Sequence, residues 1–289
     1  MQRFFFVGNR RFVLQALLEM HVPLAGIGVV SGSHLANDID QGTLGPIEAP
    51  IFPVHSKADL LTILAQTPFE VLVSNGCPYI LPIADLPKAT YVNIHPSLLP
   101  DLRGYDPVIG AILFGKDAGA TCHLMDEGID TGAIIAQVKI PITDDLDVVT
   151  LYQLSFVAER QVFSAAYARN FTPSHPQIVT GKEQSYRRRA EDMQISFREP
   201  NDVILRKVKA FNNAKIGCTF TCQGESYRVF AARRMDNPFL RDLVLSFPEG
   251  HIALSIEGSI FFHKDGEVLR FSQIRAEHGK TLAPNDVLF

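Results

Sequence analysis

The first clearly patterned stretch is R-F-F-F-V at residues 3–7, an unbroken apolar run that reads as a buried strand closed by a Gly8-Asn9 turn. From Arg11 to Met20 the apolar residues Phe12, Leu14, Leu17 and Leu18 recur at helical spacing, and residues 24–30 return to an apolar run. Strand, glycine turn, helix, strand is the opening of a doubly wound α/β unit. The pattern continues with a short strand at 51–54, a helix over 57–66 with Ser56 as its N-cap, and strands at 71–74, 91–95, 120–125 and 134–140. Residues 31–46 read as a turn-rich loop and residues 107–113 as the start of a helix. Residues 150–169 read as a long helix with Leu151, Leu154, Ala158 and Ala165 on its apolar face and its charges on a solvated one.

The texture changes at 170–185, which is polar and proline-rich and reads as a linker. An I-x-F strand at 195–197 and a helix over 201–211 follow. Then come short alternating runs at 218–222, 226–232, 243–247, 252–256, 259–263 and 267–271, separated by Gly, Pro and Asp. The expected fold is therefore α/β. A doubly wound, Rossmann-like N-terminal domain fills residues 1–169, and a smaller C-terminal β-rich, barrel-like domain fills 186–289.

Composition narrows the picture. At 46% hydrophobic and 20% charged, the 289 residues are those of an ordinary globular chain. The net charge of −4 argues against a large nucleic-acid footprint, which usually needs a basic domain. The start, M-Q-R-F-F-F-V-G, runs straight into a strand and does not read as a secretory signal, and no apolar stretch approaches membrane-spanning length. The cysteines at 77, 122, 218 and 222 are scattered, without metal-ligand spacing, and read as reduced residues of a cytoplasmic protein.

Candidate chemistry concentrates in Y-V-N-I-H-P-S-L-L-P, residues 91–100, followed at once by D-L-R-G-Y-D-P. Asn93 and His95 are two apart on a strand, so both side chains point to one side, at the strand end where α/β proteins place ligands. Asn93 offers an amide donor for a developing oxyanion, and His95 a ring able to gain or lose a proton near neutral pH. In C-H-L-M-D-E-G-I-D-T-G, Asp130 could hold that imidazole in its working state. The competing reading is a structural turn with a buried, satisfied histidine. Arg10 and Arg11 stand near a helix N-terminus, where an anion is welcome. They read equally well as phosphate contacts and as solvated arginines.

N-I-H-P-S-L-L-P followed by R-G, then H-x-M-x-x-G-x-D-x-G, resembles the folate-dependent formyltransferases. That family includes glycinamide ribonucleotide, methionyl-tRNA and sugar N-formyltransferases. The resemblance is good to about residue 169, fair to about 234 and weak beyond. It places the family's catalytic Asn, His and Asp on Asn93, His95 and Asp130. It also implies a pocket for 10-formyltetrahydrofolate from Gly76, Ile80, Leu81 and Pro82, from the loop of Ser97, Leu98 and Leu99, and from Asp126 and Gly128. Arg103 takes the position associated with a nucleotide diphosphate, Tyr105 and Asp106 fall where acceptor specificity is written, and Arg10 is a further substrate contact. No metal is implied. The tRNA-directed members carry a basic insertion near residues 31–46, whereas this segment has no Lys or Arg and two Asp. The implied activity is formyl transfer to the amine of a nucleotide-linked amino sugar, with no nucleic-acid or membrane partner and with a homodimer left open. The alternatives are methionyl-tRNA, a small amine such as hydroxyornithine or glycinamide ribonucleotide, and a binding module without catalysis.

Overall fold

The computed structural model describes residues 2–213 and 215–289. The chain begins with β1 (Phe4–Gly8), α1 (Arg11–Glu19), β2 (Leu24–Val30), α2 (His34–Asp40), β3 (Ile51–Val54), α3 (Lys57–Gln66), β4 (Val71–Asn75) and β5 (Thr90–His95). After α4 (Pro107–Phe114) come β6 (Ala118–Leu124), β7 (Ile134–Ile140) and α5 (Val148–Ala168). These strands form a seven-stranded sheet in the order β3-β2-β1-β4-β5-β6-β7. Pairing is parallel from β3 to β5 and antiparallel from β5 to β7. The chain winds outward from β1 to β3, then crosses to β4 on β1's other side. The carboxyl ends of β1 and β4 thus flank a topological switch point, where open α/β sheets form their crevice.

The run F-F-F-V explains the two layers. Successive strand side chains alternate faces. Phe4 and Phe6 enter one core with Val13, Leu14 and Leu17 of α1 and Val162, Phe163 and Ala166 of α5. Phe5 and Val7 enter the other with Leu60 and Leu64 of α3. Aromatic contacts mark both layers: Phe4 lies 5.9 Å from Phe171 and Phe5 lies 5.6 Å from Phe69, between ring centroids.

The chain divides into two compact units, one of residues 1–107, 117–141 and 152–186, the other of 108–116, 142–151 and 187–289. The second contains α6 (Asn201–Ala210), β8 (Cys218–Cys222), β9 (Glu225–Val229), β10 (Ala231–Arg234), α7 (Pro238–Leu245), β11 (Leu254–Ile256), β12 (Ser259–Lys264), β13 (Glu267–Ser272) and β14 (Arg275–Ala276). Its strands form two antiparallel sheets, ordered β10-β13-β12-β11 and β14-β9-β8. Phe197 gathers the rings of Phe220, Phe262, Phe271 and Phe289 around it.

Five sequence expectations are corrected. Residues 31–46 contain a helix, α2, whose N-cap Ser33 accepts from Ala36 N at 3.2 Å and which buries Leu35. The 195–197 strand is only a bridge, Gln194 to Thr219. Residues 243–245 of the run at 243–247 are the last turn of α7, started by Asn237 as N-cap and Pro238, a combination that favours helix entry. On α5, Leu154 and Ala165 are exposed, while Ser155, Ala158, Glu159, Val162, Phe163 and Ala166 are buried. Leu151, Ala158 and Ala165 form a strict heptad row, which drifts about 20° per heptad on a straight helix, and Ala166 takes the inner position instead. Finally, residues 170–185 are no free linker. Ser174 N donates to Ile134 O at 2.8 Å, and Leu102 N donates to Gln184 O at 2.7 Å. No helix among the described residues is long and apolar enough to cross a membrane.

Candidate functional site

A cleft of about 450 Å³ opens at the switch point, within the size range of small-molecule sites. Its floor is the end of β5. Asn93 and His95 both line it, as their spacing predicts. Asn93 is the cross-strand partner of His123 on β6, so the antiparallel register brings a second histidine beside it.

Asp130 completes the floor. Its Oδ2 lies 3.3 Å from His95 Nδ1 and accepts from Gly104 N at 2.9 Å. Its Oδ1 accepts from Asn93 Nδ2 at 3.1 Å and lies 3.4 Å from His123 Nε2. The backbone is pinched to achieve this. Leu102, Gly104, Asp106 and Asp130 all have positive φ, at 58°, 82°, 41° and 54°. Non-glycine residues hold such conformations only where their surroundings impose them. The turn presents the Leu102 carbonyl to His95 Nε2 at 2.8 Å and the Gly104 amide to Asp130.

The proton arrangement follows from these partners. His95 Nε2 donates to the Leu102 carbonyl, which leaves Nδ1, beside Asp130, as the basic nitrogen. Burial is the largest influence on His95 and pushes its pKa below the ordinary value. Asp130 and the Leu102 carbonyl oppose this, while positive charge on His123 and Arg10 reinforces it. For Asp130, burial alone would raise the pKa. The His123 hydrogen bond, the electrostatic attraction of His95 and His123, and the Gly104 amide outweigh it and hold the carboxyl well below the usual range. The pair is a carboxylate beside a neutral imidazole poised to accept a proton.

His123 opens the H-x-M-x-x-G-x-D-x-G pattern. It is buried, donates from Nδ1 to the Leu124 carbonyl at 2.7 Å, and turns Nε2 towards Asn93 Nδ2 at 3.3 Å. One amide proton of Asn93 is therefore engaged by Asp130 Oδ1, which His123 Nε2 also approaches at 3.4 Å.

Of the positions implied for folate, Gly76, Ile80, Leu81, Asp126 and Gly128 line the cleft, and the loops that carry them meet where Ala84 N donates to Glu127 Oε1 at 2.8 Å. Gly76 has φ of 72°, and a Cβ there would meet Asn9 Oδ1 at 2.1 Å, so only glycine fits. Asp126 Oδ1 accepts from Gly128 N at 3.1 Å and Thr131 Oγ1 at 2.5 Å, which stiffens the loop leading to Asp130. Pro82 is not among the lining residues and instead precedes a 3₁₀ turn at Ile83–Asp85. Ser97, Leu98 and Leu99 also lie off the cleft. Ser97 Oγ donates to Asp101 O at 2.7 Å, Leu98 packs against Gly119, and the Leu99 carbonyl accepts from Gln137 Nε2 at 2.9 Å. That loop braces the β5 end from behind.

Tyr105 and Asp106 line the cleft, and Tyr105 is exposed. Arg103 does not. Its guanidinium donates to Gln177 Oε1, from Nε at 3.2 Å and Nη2 at 2.5 Å. Arg10 lines the cleft but is no free surface cation. It pairs with Glu159 of α5, which is fully buried, and its guanidinium carbon sits 5.3 Å from the centroid of the Phe156 ring. Glu159 also accepts from the buried Asn75 at 3.0 Å. Burial lowers the Arg10 pKa to about 10, opposed by the charge of Tyr152. Arg11 lies 3.6 Å from Asp38. The reading of α5 charges as a solvated face misses Glu159, whose signal was its place four residues after Ser155 and three before Val162 on the inner face.

The four cysteines are free, and burial pushes the Cys77 thiol up, so it is no thiolate nucleophile. Among the described residues, no group of three or more His, Cys, Asp or Glu is arranged to hold a metal ion.

Comparison with known proteins bears directly on this cleft. Residues 53–167 match the formyl transferase family and residues 188–288 its C-terminal domain. A methionyl-tRNA formyltransferase of Burkholderia ambifaria is 30% identical over 241 residues, spanning 80% of this chain and 71% of that one. The fold is shared with the N-formyltransferase from Helicobacter canadensis, solved with folinic acid and dTDP-3-aminofucose. That match has a TM-score of 0.72 at 17% identity and covers 94% of this chain and 99% of that one. It is shared also with a 4-N formyltransferase from Francisella tularensis, at TM-score 0.64 and 18% identity, over 77% of this chain and 93% of that one. Both the sheet that carries the cleft and the β-rich region after it are matched, and the chain belongs to the formyl transferase family.

Proposed function

We propose that the protein transfers the formyl group of 10-formyltetrahydrofolate to the amine of a nucleotide-linked amino sugar, with Asn93, His95 and Asp130 at the reacting centre. The observation that carries the reading is the convergence of these three side chains on the floor of one cleft at the switch point. The folate ring occupies the part of the cleft lined by Gly76, Ile80, Leu81, Asp126 and Gly128, and the acceptor enters past Arg10, Tyr105 and Asp106. The acceptor amine attacks the formyl carbon. A new C–N bond forms, the bond to the folate N10 breaks, and one proton leaves the acceptor nitrogen while one reaches N10. His95 Nδ1 takes the amine's proton, and Asp130, 3.3 Å away, stabilises the imidazolium. The amide proton of Asn93 that Asp130 does not take donates to the developing oxyanion.

The amino-sugar acceptor is supported by the near full-length likeness to the Helicobacter canadensis enzyme and by a segment after β2 that holds Asp38 and Asp40 and no Lys or Arg. A second reading, formylation of methionyl-tRNA, is favoured by the names of the sequence relatives at 30% identity. The test is mass spectrometry of protein, 10-formyltetrahydrofolate and a pool of thymidine- and uridine-diphosphate amino sugars, with His95→Ala as control. A formyl mass gain on one sugar, absent in the control, is expected. No gain on any sugar, with gain on charged methionyl-tRNA, replaces the first reading by the second.

A further inference from the structure

One side chain ties the segment after α5 into the Asp130 loop. Gln177 donates from Nε2 to the carbonyl oxygens of Asp130 and Gly132, each at 2.8 Å. Its Oε1 accepts the two bonds from Arg103. Two carbonyls on one side and a guanidinium on the other fix the amide in a single orientation and use its full hydrogen-bonding capacity. Gln177 is half-buried and is not among the residues lining the cleft. Yet Arg103, its partner, stands between Leu102, which receives the His95 Nε2 proton, and Gly104, which donates to Asp130. The two loops that hold the two ends of the His95–Asp130 pair are therefore joined through Gln177. Asp130 needs that support, because its backbone sits at φ of 54°, a conformation a non-glycine residue keeps only when its surroundings over-determine it.

We infer that Gln177 is a positioning residue for the transfer reaction: by holding the Asp130 and Gly132 carbonyls it fixes the turn that aims the Asp130 carboxylate at His95 and Asn93. The inference rests on the role given to Asp130 above. Its chemistry is neutral, so the side chain can be replaced without changing local charge.

The test is a nitrogen-edited NMR titration of the His95 ring in the wild type, Gln177→Met and Asp130→Asn, which requires no acceptor. The charged and titratable groups facing His95 are Asp130, His123 and Arg10, and only the first is altered or displaced. Negative charge on Asp130 favours the imidazolium, so Asp130→Asn lowers the His95 midpoint. Gln177→Met is expected to lower it in the same direction by about half a unit, as the carboxylate loosens. It should also lower kcat on the acceptor formylated in the mass assay by about tenfold, with KM for 10-formyltetrahydrofolate within about twofold. A Gln177→Met midpoint equal to wild type, with Asp130→Asn shifted, overturns the inference and leaves the reading of the site intact. A midpoint unmoved in Asp130→Asn overturns the pairing on which both stand. Should Gln177→Met fail to give a cooperative melt, Gln177→Asn, shorter by one methylene, is read in the same way.

Discussion

Asn93, His95 and Asp130 differ in what each has to lose. On the proposed mechanism Asn93→Ala removes an oxyanion donor, for which a drop of about 10²–10³ in kcat is expected. His95→Ala removes the proton acceptor, for about 10²–10⁴. Steady-state kinetics on a common acceptor check both, and near-wild-type turnover in either variant removes that residue from the reacting centre. The pH dependence has a definite sign. On the proposed mechanism activity requires neutral His95, whose pKa lies below the ordinary 6.5, so the acid limb of kcat/KM should fall below that value. Asp130→Asn, besides lowering kcat, should move the limb further down, because it deletes the charge that favours the imidazolium. Stability follows the same direction. Both folded-state values are depressed, so the unfolded chain binds the extra protons on acidification. The His95 contribution is complete above about pH 6.5 and is lost as pH falls through its lowered folded value, and that of Asp130 is lost at still lower pH. Urea unfolding at a series of pH values measures this, and a melt that is flat from neutral to pH 5 would count against the burial of a neutral His95.

Among the elements, α5 has the most to answer for, because it carries a fully buried carboxylate to the switch point. Glu159 joins Arg10, after β1, to Asn75, at the end of β4, and so clamps the two strand ends that flank the cleft. Breaking a buried pair leaves one charge without a partner, at a cost of about 3–5 kcal/mol, whereas replacing both partners by apolar groups of similar volume is often near neutral. Arg10→Met, which strands the fully buried Glu159, should destabilise by that amount, Glu159→Met by less because Arg10 faces the cleft, and the double variant by clearly less than the sum. Additive losses in a double-mutant cycle would show that the two residues act independently. This clamp was not legible in the sequence, and the reason is physical. Periodicity reports which positions face inward but assumes that inward means apolar, so a charge at position 159 was assigned outward. The strands were legible because short runs such as F-F-F-V and Y-V-N-I-H, bounded by turn residues, are too short and too apolar for anything but a buried strand. The helices α2 and α7 were not, being only 7 and 8 residues long, too short for a stripe to stand out; only their caps, Ser33 and Asn237, announced them. The chemical triplet could be read from local motifs. His123 and Gln177 could not be given roles, since one depends on antiparallel register and the other on a segment that reads as a linker.

For the whole molecule the open question is which amine is served, and charge gives the sharpest physical handle. The chain has 27 Lys and Arg against 31 Asp and Glu. A protein that grips tRNA must neutralise several phosphates and release their counterions, which makes binding fall steeply with salt. The positive charge for this must stand where the backbone runs. Beside the switch point, the segment after β2 offers Asp38 and Asp40, and Asp38 already engages Arg11. Arg10 is held by the buried Glu159, and the carboxylates lining the cleft are Asp106, Asp126 and Asp130. A polyanion arriving here meets net negative charge, whereas a nucleotide-linked sugar needs only a local anion contact and an amine. Gel-shift titrations of methionyl-tRNA should therefore show no retained complex at about 150 mM salt. The residual binding at low salt should have a log–log slope of no more than about −2, equivalent to two or three phosphate contacts. A complex that survives physiological salt, with a slope of about −5 or steeper, would require a basic surface that outweighs this cleft and would make the tRNA the substrate.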